Sequence, residues 1–249
     1  MNSKLMIFLI IFGLFFIFFF SIFVFDQFKQ PIVLLSFDTE SNVDSPQIMT
    51  DLLNILQKYN AKATFFVMGD FAKQNPEIIH RMISEGHEIA CHTQNHQNLL
   101  FLNYTSQYDE INECKKYLDN EFDLNVTGFR SPYRAMSPST FKVLRQTGFK
   151  YDASVFQNYG ICYPFKFIDE IYTSSLFMIP LDDYNCLNIL KLNKIIYFGL
   201  LEHNFKKYKS YSFHPRVIME YAEDFDVLLY KLSQENSFLT HERYLDLRK

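Results

Sequence analysis

Ile32-Val33-Leu34-Leu35-Ser36-Phe37-Asp38-Thr39-Glu40 is a short run, apolar apart from one serine, that ends in two carboxylates within three positions. A continuous apolar run of this length suits a strand buried on both faces, as in a parallel sheet; strict alternation would mark a sheet with one wet face. Ala63 to Met68 repeats the pattern and stops at Gly69. Shorter strands of the same kind are expected at His87–Cys91, Val126–Phe129, Phe149–Tyr151, Phe177–Leu181, Lys209–Phe213 and Phe238–Thr240. Helical spacing fills the intervals: Ile48–Leu56, Phe71–Ile83 closed by Gly86, Tyr108–Leu118, Pro138–Gln146 closed by Gly148, and Tyr221–Leu232. Repeated strand–helix units over about 220 residues predict a TIM-like barrel or a doubly wound sheet.

Upstream of this region, Leu5 to Phe25 carries no charge and is dominated by Phe, Ile and Leu. About 20 such residues span a bilayer as a helix. A cleaved signal peptide would have a shorter apolar stretch ending in small residues, whereas Phe20 to Phe25 reads FSIFVF, so an uncleaved single-pass anchor is the favoured reading. Lys4 lies on one side, and Asp26 and Lys29 nearly cancel on the other, which points the N-terminus to the cytoplasm and the remainder outward. The expected organisation is residues 1–29 as the anchor with its flanks and residues 30–249 as one domain. Two sequons, at Asn103 and Asn125, are compatible with that orientation.

With 24 basic against 28 acidic residues and no dense Lys/Arg run, nothing tracks a phosphate backbone, so nucleic acid is not an expected partner. The four cysteines, Cys91, Cys114, Cys162 and Cys186, form no CxxC pair. A zinc knuckle and a thioredoxin-type motif are therefore excluded, and either a Cys162–Cys186 bridge or buried thiols remain open.

The chemistry-bearing residues fall at the C-terminal ends of the expected strands. Asp38 and Glu40 follow the first, His92 and His96 the third, Arg130 the fourth, Asp152 the fifth, and His214 a late one. In parallel barrels that rim is where residues distant in sequence converge. Two histidines four apart, as in Cys91-His92-Thr93-Gln94-Asn95-His96, can aim two imidazoles at one cation, and a carboxylate from the first strand would complete a three-ligand site with open positions. Taken singly, each of these residues has a commoner use: Asp38 as a helix cap, Arg130 in a surface ion pair, Asp152 in a turn.

Taken together they resemble the motifs of the NodB-like polysaccharide deacetylases, carbohydrate esterase family 4. The segments are Ser36-Phe37-Asp38-Thr39-Glu40, Gly86 through His96, Gly128-Phe129-Arg130-Ser131-Pro132-Tyr133, Gly148 through Ser154, and Tyr211-Ser212-Phe213-His214-Pro215, in family order from Ile32 to Pro215. The resemblance implies an α/β fold, a distorted (β/α) TIM-like barrel of about seven strands, here preceded by one transmembrane helix. It implies N-deacetylation of a glycan such as peptidoglycan, a chitin-like oligomer or an exopolysaccharide. It also implies a divalent metal, commonly Zn2+, with Co2+ as an alternative. Asp38 would be the general base and Arg130 its ionising partner. His92 and His96 would be ligands, Tyr133 would offer its backbone N–H to the oxyanion, and His214, held by Asp152, would protonate the leaving amine. Where the family commonly has a second aspartate as ligand, this chain has Thr39, and Glu40 is the candidate replacement because residues two apart share one side of an extended segment. The departure keeps two other readings open: a catalytically impaired glycan-binding relative, and a hydrolase of a small non-sugar amide.

Overall fold

The computed structural model describes residues 31–154, 166–168, 171–173 and 208–247. The apolar segment at Leu5–Phe25, the strand expected at Phe177–Leu181, and Cys162, Cys186 and His203 lie outside the described residues. Among the described residues, no helix is long and apolar enough to cross a membrane.

Strands β1 (Ile32–Thr39), β2 (Ala63–Val67), β3 (Glu88–Cys91), β4 (Gly128–Phe129) and β5 (Tyr151–Asp152) pair in parallel in that order, and β8 (Tyr208–Phe213) joins the free edge of β1. Beyond β5 lie β7 (Ile171–Thr173), also parallel, and β6 (Lys166–Ile168), which forms an antiparallel hairpin with β7. β9 (Ser237–Leu239) pairs with Ile32–Leu34 of β1, while β2 takes Leu35–Thr39, so one edge of β1 is shared by two partners. Among the described residues the sheet is a mainly parallel half-barrel, a row that runs from β6 to β8 with β9 beside β1, which makes nine strands where the distorted barrel was expected to have about seven.

The helices are α1 (Pro46–Lys58), α2 (Gly69–Gln74), α3 (Pro76–Ser84), α4 (Tyr104–Phe122), α5 (Pro138–Gln146), α6 (Pro215–Ile218), α7 (Ala222–Glu235) and α8 (His241–Asp246). α1 starts where Ser45 accepts the Ile48 N–H and Pro46 occupies the first turn, and it buries Met49, Leu52, Leu53 and Leu56 against the sheet. The single helix expected over Phe71–Ile83 is two helices, because Asn75, at φ −134° and ψ 53°, precedes Pro76 and is barred from the helical region. On the outer face, Phe37 of β1 packs between Phe65 and Phe213 at 5.1 and 5.7 Å and meets Phe225 of α7 edge-on.

The inner face is filled by Phe66, Ala90, Tyr151 and Ala153, with Leu245 of α8 lying among them and Tyr244 packed on Leu34. Burying two such side chains contributes roughly 1.5–3 kcal/mol each, enough to dock a six-residue helix that could not persist alone. Two fully buried cysteines, Cys91 at the end of β3 and Cys114 on α4, form a disulfide. The open choice between a Cys162–Cys186 bridge and buried thiols thus gains a pair that spacing did not indicate.

A polar cluster anchors α8. Glu88 accepts hydrogen bonds from Tyr151, from Thr64 and from the Glu242 N–H, while Thr64 also meets the N–H and ring of His241. Burial, only partly offset by these donors, pushes the Glu88 carboxyl up to about 7. A raised carboxyl favours the folded state at low pH, and its contribution is lost as pH rises from the ordinary value of 4.5 through 7. Glu88→Gln removes that loss. Denaturant titrations at pH 4.5 and pH 8 should show its stability relative to wild type improving by roughly 3 kcal/mol toward the higher pH; a pH-independent difference would contradict the assignment.

Candidate metal and catalytic site

The register places the candidate residues on one rim. Phe37 pairs with Phe213, Cys91 with Phe129 and Phe129 with Asp152, so Asp38, His92, Arg130, Asp152 and His214 all emerge at the same ends of neighbouring strands.

Arg130 is the centre of the site. It is fully buried, with one guanidinium nitrogen donating to Asp38 Oδ1 at 2.5 Å and to Ser212 Oγ at 3.1 Å. The other terminal nitrogen reaches Ser36 Oγ at 3.0 Å, Nε reaches the Ala153 carbonyl, and the guanidinium plane lies 3.9 Å over the Phe66 ring. Burial opposes ionisation of Asp38, but Arg130, with His92, His214 and Arg134 behind it, outweighs burial and holds the carboxyl well below the usual carboxylate range. The expected pairing of Arg130 with Asp38 is therefore formed. Ser36 and Ser212, which face each other across β1 and β8, were not singled out from sequence; the one signal was the lone serine in the apolar run Ile32–Phe37, since Ser212 lies in a mixed strand beside Lys209 and Ser210. Arg134 was also missed: it joins the same web through Ser212 Oγ at 3.0 Å and the Ala153 carbonyl at 3.1 Å.

Beside this pair, one ligand atom each from Glu40, His92 and His96 lies within 4.8 Å of the others. His92 Nδ1 is 2.7 Å from the Arg130 carbonyl, which can only accept, so the proton sits on Nδ1 and the Nε2 lone pair is left for a ligand. Burial lowers the His92 pKa to about 4, so the ring is neutral at pH 7. His96 Nε2 is buried without a hydrogen-bond partner and faces Glu40 Oε1 at 3.3 Å. Burial works against the charge of Glu40, yet His96 in front of it outweighs burial and lowers its pKa. Two imidazoles and a carboxylate with an orphaned nitrogen between them fit a divalent cation such as zinc. Thr39, by contrast, is buried with its hydroxyl unpartnered.

The loop bearing the histidines is braced from two helices. The N–H groups of Gly69 and Asp70, in the first turn of α2, donate to the Thr93 and Gln94 carbonyls, and Asn95 is held by Glu110 of α4. A side chain at position 69 would collide with the Gln94 amide at 2.0 Å, which explains the glycine there. Backbone strain concentrates at the site: Thr93, His96, Tyr133 and Arg134 have φ between 54° and 64°. Among the described residues the other two non-glycine residues of this kind are Asn60 and Asp123, types that tolerate the left-handed region, as His96 also does; Thr93, Tyr133 and Arg134 do not. Tyr133 is 69% exposed on the turn after β4, and its ring lies 4.9 Å from that of His96.

One expected contact is replaced. Asp152 does not hold His214: its Oδ1 accepts from the backbone and hydroxyl of Ser154, and its Oδ2 has no hydrogen-bond partner. Ser154 Oγ in turn accepts from the Ser131 N–H at 2.7 Å, so Asp152 stabilises the turn that carries Tyr133. The two-residue step from Asp152 to Ser154 makes this local bond easier to form than a bridge across the rim. Burial, opposed by Ser154, raises the Asp152 pKa to about 6. Among the described residues, Glu40 presents a carboxylate oxygen to His214 Nε2 at 3.9 Å.

A parallel half-barrel whose rim gathers a buried Arg–Asp pair and a Glu–His–His triplet has the architecture of the NodB-like barrels. The chain belongs to the polysaccharide deacetylase family, whose model matches residues 26–151. A chitooligosaccharide deacetylase of Sinorhizobium fredii is 42% identical over 119 residues, 47% of this chain and 54% of that protein. The chain spans about half or less of the length of the curated relatives it matches. The solved structure of the peptidoglycan deacetylase PdaC from Bacillus subtilis superposes with a TM-score of 0.66 at 20% identity, covering 88% of this chain and 92% of that one. A Bacillus anthracis protein described as a pseudoenzyme of carbohydrate esterase family 4 superposes at 0.63 and 15% identity, covering 85% and 63%.

Proposed function

We propose that the chain removes N-acetyl groups from an N-acetylated glycan of the peptidoglycan, chitin-like or exopolysaccharide kind, with a divalent cation held by Glu40, His92 and His96. The observation that carries this reading is the placement of those three ligand atoms within 4.8 Å of one another beside the Arg130–Asp38 pair. A cation there would lower the pKa of water toward ~7 and polarise the acetyl carbonyl. Asp38, kept ionised by Arg130, takes the proton of the attacking water. The Tyr133 N–H donates to the oxyanion, and His214 gives a proton to the departing amine, which leaves poorly without one.

The reading also places the domain outside the cytoplasm, anchored by residues 5–25. That apolar stretch supports it, and so does the Cys91–Cys114 disulfide, since such bonds persist in oxidising compartments.

Acetate release from N-acetylglucosamine oligomers and peptidoglycan, with chelator and then with added zinc or cobalt, tests the reaction. His92→Ala and His96→Ala are each expected to lose bound metal on dialysis, with activity falling in parallel; metal analysis at wild-type stoichiometry in both would remove the ligand assignment. Thr39, uncharged where the family commonly has a carboxylate, motivates the second reading, a glycan-binding relative without turnover. Folded, metal-loaded protein that binds oligomers and releases no acetate would favour it.

A further inference from the structure

Asp44 belongs to none of the motifs, yet it is 3% exposed and both of its carboxylate oxygens are engaged. Oδ2 accepts from the Glu40 N–H at 2.7 Å, and Oδ1 accepts from the Arg216 N–H at 3.0 Å, 172 residues away in sequence. The Asp44 N–H closes the same turn on the Glu40 carbonyl at 3.0 Å. We propose that Asp44 is a positioning residue that clasps the loop after β1 to the turn after β8 and thereby sets the spacing of Glu40 and His214. The inference rests on the function proposed above and assigns a residue to the regulation of its geometry.

Strand pairing holds β1 and β8 together only as far as Phe37 and Phe213; beyond them no ladder bond joins the two strands. Glu40 and His214 lie just past that limit, with Glu40 Oε1 3.9 Å from His214 Nε2. A clasp one step further out is where a cross-tie has most effect. Each end of it is covalently close to a working side chain: one N–H is that of Glu40 itself, and the other lies two residues after His214. The turn α6 is rigidly tied to His214, whose carbonyl accepts from Val217 and Ile218 at 2.9 and 3.0 Å.

The first turn of a helix has N–H groups with no partner in the helix, which the residue before it usually caps with its side chain. His214 occupies that position before α6 and makes no such bond. Asp44 caps Arg216 in its stead, and the imidazole is left to face the site. A carboxylate suits the task because two N–H donors converge on it from different strands; an amide offers one acceptor and sets an N–H against the other donor.

The test uses the purified full-length chain and its Asp44→Asn variant, with zinc or cobalt affinity measured by competition against a chromophoric chelator and with steady-state acetate release. Outer-shell partners of this kind typically change affinity or rate by about 10–100-fold. The expected result is metal affinity and kcat each lower by at least about tenfold, KM within about twofold, and circular dichroism unchanged. In a His214→Ala background the same substitution should change kcat less, because one of the two groups it positions is gone. Unchanged metal affinity, or an equal kcat loss in both backgrounds, overturns the proposal. If Asp44→Asn does not fold, Asp44→Ser, which keeps one acceptor, gives the same comparison. Absence of acetate release from the wild type would refute the proposed reaction, while the metal affinities would still decide the clasp.

Discussion

Asp38→Asn is expected to yield a folded protein that binds metal as the wild type does and releases acetate about 10²–10⁴ times more slowly. Asparagine keeps the shape of the side chain and an oxygen for the Arg130 guanidinium, which is 2.5 Å from Asp38 Oδ1. It cannot take a proton from water. Because the proposed ligand atoms belong to Glu40, His92 and His96, the change spares the candidate cation site. Parallel measurement of kcat and metal content checks this, and activity within tenfold of wild type would remove the base assignment.

Arg130→Met should be the most destabilising single change at the site. The guanidinium is fully buried and reaches Asp38, Ser36, Ser212 and the Ala153 carbonyl, so its loss strands a buried carboxylate as well as three weaker acceptors. Removing one partner of a buried ion pair typically costs 3–5 kcal/mol, on the order of half a domain's net stability. The pH dependence gives the cause away. In the wild type the Asp38 carboxyl is held below its ordinary value, so its contribution is present above about 3.8 and is lost as pH falls through the lowered folded value. Without Arg130, burial outweighs the smaller opposition of His92, His214 and Arg134 and raises the folded value, so the variant loses stability as pH rises from about 3.8. The gap between the two proteins should therefore widen from pH 4 to pH 7. Denaturant midpoints across that range measure it, and a constant gap would mean that Asp38 is not the group left unpaired.

Much of the site was legible because each motif is local. The strand Ile32–Phe37 and the carboxylates after it are read from nine consecutive residues, and the same is true of His92 and His96 after β3. The helix from Pro138 to Gln146 was read to the residue, since proline opens it and Gly148, at φ 80°, follows its end. The helix break at Asn75 was signalled by Pro76 and passed over because apolar spacing continued on both sides of it. The role of Asp152 could not have been read the same way: whether its carboxyl reaches His214 or turns back to Ser154 depends on how far apart two strand ends lie.

What the sequence determined by itself is the alternation of strands and helices, the buried character of the parallel strands, and the order in which Asp38, Glu40, His92, His96, Arg130 and His214 meet the rim. Apolar periodicity and strand-end punctuation are properties of neighbouring residues, so they survive without knowledge of the fold. The tertiary structure alone decided the Cys91–Cys114 bond, the four-way engagement of Arg130, the docking of α8 through Glu88, the turn of Asp152 to Ser154, and the clasp from Asp44 to Arg216. Most of these join groups tens to more than a hundred residues apart, and which donor meets which acceptor is fixed by strand register and loop path. A hydrogen bond's geometry tolerates only a few tenths of an ångström, a scale that spacing along the chain does not reach.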